Sequence, residues 1–85
     1  MPTNKTKKVH VFYYAVLREQ SGLTHERITT KAKTAGELYA YVQDRHGFTL
    51  GPDILKIAVN DSFKSWKTIL ENGDSVTFIP PLAGG

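Results

Sequence analysis

The chain is 85 residues long, contains no cysteine and carries 11 basic against 8 acidic side chains, a formal net charge of +3. That length supplies one modest hydrophobic core and leaves no room for a second domain. The lack of cysteine excludes disulfides, thiolate metal sites and a nucleophilic thiol, and His10, His25 and His46 are too scattered for a metal-ligand motif, so no metal site is expected.

Three of the basic residues, Lys5, Lys7 and Lys8, lie in the first eight positions, and without them acidic and basic residues are equal at eight each. The excess charge therefore reads as a flexible basic leader over residues 1–8, with none of the apolar run of a secretory signal, and a cytoplasmic location is expected. A neutral body argues against nucleic acid as a partner. No apolar stretch approaches the roughly 18 residues of a membrane span, since Val9 to Leu17 is interrupted by His10 and stops at Arg18, so no membrane partner is expected either.

Residues 9–17 are dense in β-branched and aromatic types and read as strand one, with Val9, Val11, Tyr13 and Ala15 on one face and His10, Phe12, Tyr14 and Val16 on the other. Aromatics on both faces suggest that both are covered. Ser21-Gly22 is a turn signal, and Thr24 to Thr30, with Ile28 its one large apolar residue, reads as an edge strand completing a hairpin. A helix is predicted from a Thr34 cap, with Glu37 in capping-box position, an apolar stripe of Leu38, Tyr41 and Val42 running to Arg45, and Gly47 as its stop. His46 suits the negative end of that helix better than it suits a metal. Residues 48–55 read as an irregular connection ending in a short turn. Lys56 to Asn60 is a short strand, Asn60-Asp61 a turn, Phe63 to Trp66 a further brief strand, and Asn72-Gly73-Asp74 a turn into a strand over Ser75 to Ile79. One helix for four or five strands predicts an α+β sheet covered by the helix on one face.

After that strand the pattern stops looking like a fold. Pro80-Pro81 fixes φ and removes two amide donors, so residues 80–85 should leave the body as an extended arm. At roughly 3.3 Å per residue six residues reach on the order of 20 Å, enough to place a terminal carboxylate inside another protein. Gly84-Gly85 makes the tip thin, because glycine has no Cβ to hold the backbone away from a wall or a reacting group. No charged side chain occurs from Ser75 to Gly85, unlike an ordinary solvated tail.

These residues carry a family resemblance. Val-Phe-Tyr-Tyr-Ala (11–15) followed by Arg18-Glu19 and Gly22, then Ala58-Val59-Asn60, and above all the run from Asn72-Gly73-Asp74 through Pro80-Pro81-Leu82-Ala83-Gly84-Gly85 resemble the ubiquitin-fold sulfur carriers, and most closely the small subunits of molybdopterin synthase. The resemblance implies a β-grasp domain over residues 9–79, a mixed sheet of four or five strands on one main helix. It further implies that the Gly85 carboxylate is joined to AMP by a ubiquitin-activating-type adenylyltransferase using ATP and magnesium. A sulfur donor protein would then supply the sulfur of a terminal thiocarboxylate, which attacks the pyranopterin precursor inside the large synthase subunit. No cofactor is held stably by such a chain, and it is not catalytic alone, its acids and bases coming from the partner. A heterotetramer of two small and two large subunits is implied as well.

The resemblance places an apolar partner-binding patch at Tyr14, Phe63 and Ile79, continued by the arm residues Pro80, Pro81, Leu82, Ala83 and Gly84. Parity agrees for Ile79, which lies opposite Val76 and Phe78, and for Tyr14, which lies off the Val9-Val11-Tyr13 face. Tyr14 and Phe63 are taken as anchors, with a place in the core as the alternative, as for most aromatics, and Trp66 suits packing and interface alike. Other functions share the Gly-Gly end: sulfur carriage to thiamine, cysteine or transfer-RNA thiolation, or conjugation as a protein modifier. A binding module of a different class would use the basic leader and exposed aromatics to hold nucleic acid.

Overall fold

The computed structural model describes residues 6–81. The opening strand, β1 (Lys7–Tyr13), alternates as its sequence dictates: Val9, Val11 and Tyr13 are buried, while His10 and Phe12 are only half-covered on the other face. Lys7 and Lys8, assigned from sequence to the leader, belong to this strand and pair with Thr30 and Thr29. After β1 the chain turns at Ala15 (φ 51°) into a short helix, α1 (Val16–Ser21), which buries Leu17. The run Val9 to Leu17 is therefore not one strand. Its β-propensity is overridden by the burial of Leu17, which needs a change of direction that no residue type announces. Gly22, read as a hairpin turn, is instead the left-handed cap of α1, its N–H donating to the Arg18 carbonyl at 2.8 Å.

β2 (His25–Thr30) runs antiparallel to β1 at the sheet edge, as expected. The main helix, α2 (Ala35–His46), starts where Thr34 Oγ1 accepts the Glu37 amide at 3.1 Å, and Glu37 Oε1 reaches back to the Lys33 amide at 3.0 Å. It ends at left-handed Gly47. Its buried stripe is Ala35, Leu38, Tyr39 and Val42. The tyrosine that α2 gives to the core is Tyr39, not Tyr41: three-and-four spacing from Ala35 selects 38, 39 and 42, and Tyr41 falls on the outer flank, bonded to Arg45. His46 does more than sit at a helix end, for its Nε2 lies 2.6 Å from Glu26 Oε2 and ties α2 to β2.

A 3-10 turn (Pro52–Ile54) precedes β3 (Lys56–Val59), β4 (Ser62–Lys64) and β5 (Ser75–Ile79). Asn60 and Asp61, with φ of 51° and 70°, make the two-residue turn between β3 and β4 that matches strand twist. The sheet order is β2-β1-β5-β3-β4, with β5 parallel to β1 and the other pairs antiparallel. A mixed five-stranded sheet on one main helix is thus the architecture that the resemblance implied. Tyr39, Phe48, Trp66 and Phe78 fill the space between helix and sheet, Trp66 stacking on Phe78 at 5.9 Å. The layers are further joined where Ala35 and Gly36 donate their amides to the carbonyls of Thr68 and Trp66 at 3.0 and 2.9 Å, supplying partners that a helix start lacks.

The Asn72-Gly73-Asp74 turn anchors the central strand at both flanks. Asn72 Oδ1 accepts the Lys8 amide (2.8 Å), and the Gly73 amide donates back to the Lys8 carbonyl (2.7 Å) with φ at 91°. Asp74 accepts from Asn60 Nδ2 (2.9 Å) and the Glu71 amide (2.8 Å), while Asn60 Oδ1 takes the Ser75 amide (3.0 Å). Among the described residues no buried side-chain polar atom lacks a partner.

Candidate partner-docking face

The helix covers one face of the sheet; the other is open. Because side chains alternate, cross-strand register puts a row across that open face, His25, Phe12, Thr77, Ala58 and Phe63, one residue from each of the five strands. Beside it Ile79 stands opposite Lys56. The expectation that both faces of strand one would be covered fails here, since nothing among the described residues packs over this side.

Tyr14 is 50% exposed and Phe63 73% exposed, so neither is a core residue. Tyr14 joins Phe12, Thr77 and the Asn60-Asp61 turn around a shallow hollow of about 350 Å³. Phe63 projects from edge strand β4 beside a second hollow of about 420 Å³ floored by Leu55, Ile57 and Trp66 and flanked by Lys56 and Lys64. From β1 to β4 is three strand spacings, roughly 14 Å, so Tyr14 and Phe63 bracket the face with half-buried Ile79 between them. Exposed aromatics on a shared face make this the candidate docking surface among the described residues. Trp66 packs half-buried on Phe78 and Tyr39, and it also lines the Phe63 hollow. Phe12 and Ala58 complete the patch and were not singled out by sequence; strict alternation through Phe12 carries the signal for it, whereas Ala58 needs the register.

By register Lys8, His10 and Arg27 share the open face with Phe12, and Lys56 lies beside Ile79, so the charge on that face is cationic. His10 Nε2 and His25 Nδ1 lie 2.8 Å apart, and partial burial, then the charges of Arg27 and His25, hold the His10 ring below its ordinary pKa. The coupled acid of the molecule lies elsewhere. Tyr13 Oη donates to Glu26 Oε2 at 2.6 Å beside His46, with Arg45 Nε 4.0 Å from Oε1. Burial alone would raise the Glu26 carboxyl, but the Tyr13 and His46 hydrogen bonds and the nearby positive charge outweigh it and hold it below the usual carboxylate range. Burial, followed by the Glu26 bond, pushes the Tyr13 phenol up. Among the described residues no three histidines or carboxylates converge on a metal site.

β5 lies between β1 and β3, so the chain leaves from the middle of the sheet, at the rim of the open face. Pro80 is buried against the body and Pro81 is exposed, which starts the exit one residue later than the proline pair suggested. Leu82, Ala83, Gly84 and Gly85 lie outside the described residues. No helix among the described residues is long and apolar enough to cross a membrane.

A mixed sheet grasping one helix, with its central strand leading directly to the C-terminal segment, defines a protein of the ubiquitin-like β-grasp class. SAMP1 from Haloferax volcanii shares that fold with a TM-score of 0.77 at 19% identity, over 92% of this chain and 99% of the other. The chain belongs to the ThiS family, whose match spans residues 11–85. It is 32% identical over 81 residues to the molybdopterin synthase sulfur carrier subunit of Drosophila melanogaster, 91% of this chain and 90% of that protein. It also resembles a solved complex of subunits 1 and 2 of the molybdopterin-converting factor from Helicobacter pylori, with TM-score 0.62 and 29% identity over 92% of this chain and 99% of the matched one.

Proposed function

We propose that this chain is a sulfur carrier for molybdenum cofactor biosynthesis. The observation that carries the reading is that the central strand β5 leads at the rim of the open face into Pro80-Pro81, which Leu82-Ala83-Gly84-Gly85 follow in sequence, in a chain similar to molybdopterin synthase sulfur carrier subunits. The Gly85 carboxylate is a poor acceptor as it stands, since its charge repels nucleophiles and oxide is a poor leaving group. Attack of a carboxylate oxygen on the α-phosphorus of ATP, in an adenylyltransferase that holds the magnesium, releases pyrophosphate and leaves an acyl adenylate. A sulfur donor protein then delivers sulfur at the sulfide level, as hydrosulfide: its attack on the acyl carbon forms the C–S bond as the C–O bond to AMP breaks, and loss of the S–H proton leaves a thiocarboxylate, a sulfur nucleophile on a slim arm.

In this reading Tyr14, Phe63 and Ile79 seat on the adenylyltransferase and on the large synthase subunit in turn, while residues 81–85 enter the partner's active site. The Helicobacter pylori complex supports a large-subunit partner, and two copies of each subunit would complete a heterotetramer. The alternative acceptors, thiamine, cysteine, transfer RNA or a lysine on another protein, would use the same activated Gly85. Intact-mass analysis after incubation with ATP, a sulfur donor and the activating enzyme tests the proposal. A product with one carboxyl oxygen replaced by sulfur is expected; no adenylate or thiocarboxylate with any cognate activator would sink it. Co-purification with a large synthase subunit then selects the acceptor.

A further inference from the structure

β2 is an edge strand, and its register determines which of its backbone groups are free. The Tyr13 amide donates to the Thr24 carbonyl at 2.9 Å, so Glu26, Ile28 and Thr30 exchange bonds with Val11, Val9 and Lys7. The amides and carbonyls of His25, Arg27 and Thr29 therefore point away from the sheet. Alongside, between β2 and α2, runs a groove of about 490 Å³ lined by Thr29, Thr30, Lys31, Ala32, Glu37 and Tyr41. The Tyr41 ring, 41% exposed, is steadied by Arg45 Nη1 at 3.1 Å from its oxygen.

Charge around this edge is one-sided. Arg27 and Lys31 are exposed, whereas Glu26, the one acid of β2, is withdrawn into its bonds with Tyr13 and His46. Glu37, the acid in the groove, has Oε1 occupied by the Lys33 amide. We propose that the β2 edge accepts an extended segment of a partner protein with alternating acidic and apolar residues, added as a sixth strand. Its backbone pairs with His25, Arg27 and Thr29; its apolar side chains lie in the groove against Ala32 and the Tyr41 ring, and its carboxylates stand beside Arg27 and Lys31. A second copy of this chain is disfavoured at the same place, because antiparallel pairing of two β2 edges would bring Arg27 and Lys31 of both copies together. Addition in the plane of the sheet leaves the open face uncovered, and β1 separates the edge from the exit strand β5, so such a segment can be held while the C-terminal segment is in use.

The test titrates the full chain with the hexapeptide Val-Glu-Val-Glu-Val-Glu and with its lysine counterpart, following backbone amides by NMR and affinity by fluorescence anisotropy. Expected are shifts confined to residues 25–32 and Tyr41, slowed exchange at the Arg27 and Thr29 amides, and no binding of the lysine peptide. The double variant Arg27→Glu with Lys31→Glu should bind the acidic peptide about tenfold more weakly. Arg27→Pro removes one outward amide without touching the β1 ladder and should abolish the Arg27 contact while the circular dichroism is kept. Shifts centred on Phe12, Tyr14 or Phe63, equal binding of both peptides, indifference to the charge reversal, or silence at millimolar peptide would each overturn the proposal.

Discussion

Ala15 holds φ 51° and ψ −125°, a conformation that crowds the Cβ of any L residue and costs of order 1–3 kcal/mol. Glycine there would escape that strain and add about 0.5–1 kcal/mol of unfolded-state entropy. Ala15→Gly is therefore expected to stabilise the protein by about 1 kcal/mol in urea denaturation; a loss of stability would show that the turn is not strained. Glu26 makes a second residue-level prediction. Its carboxyl is held below the usual carboxylate range, so the stability it contributes is fully present above the ordinary glutamate pKa of about 4.3 and is lost as pH falls through the lower folded value. The melting temperatures of wild type and Glu26→Gln should differ most near neutrality, by the equivalent of about 2 kcal/mol, and converge in acid. Neither feature was legible beforehand. Ala15 sits inside an unbroken β-type run, and the Glu26 partners Tyr13 and His46 are 13 and 20 residues away.

The elements whose ends are marked by local chemistry were readable. Thr34, Glu37 and Gly47 delimit α2 because capping and left-handed backbone depend on the few residues at the terminus. Thr34→Ala should cost about 1 kcal/mol, measured by thermal melting, with little change in the sheet signals. Likewise Asn60-Asp61 and Asn72-Gly73-Asp74 announced their turns through residues that tolerate positive φ. What failed were elements decided at a distance. α1 exists because Leu17 finds the core, and the choice of Tyr39 over Tyr41 reflects where the sheet lies around the helix. Three-residue β4 was readable only as a brief strand near Phe63 to Trp66, since its pairing with β3 and not its composition defines it.

At the scale of the whole molecule, five strands each contribute one side chain to the open row, and this common face is where partner recognition is expected. Because Tyr14 and Phe63 are exposed, Tyr14→Asp and Phe63→Asp should leave the melting temperature within about 1 °C, while each weakens binding to a large synthase subunit by about 2 kcal/mol, read by calorimetry. A drop in stability comparable to a core substitution would return them to the core. Adding one residue after Gly85 should abolish thiocarboxylate formation and leave folding unchanged, since the changed group is the terminal carboxylate.

The amino-acid sequence by itself determined the single domain, the main helix with both its caps, the turns, the alternation of the central strand and the Pro-Pro-to-Gly-Gly segment, because each is written in neighbouring residues. Tertiary structure alone decided that β5 lies between β1 and β3, that no described residue packs over the face holding Phe12, Thr77 and Ala58, and that β2 is an edge strand flanked by Arg27 and Lys31. Those outcomes depend on strand order and register, which are set by which apolar faces bury one another across the whole chain.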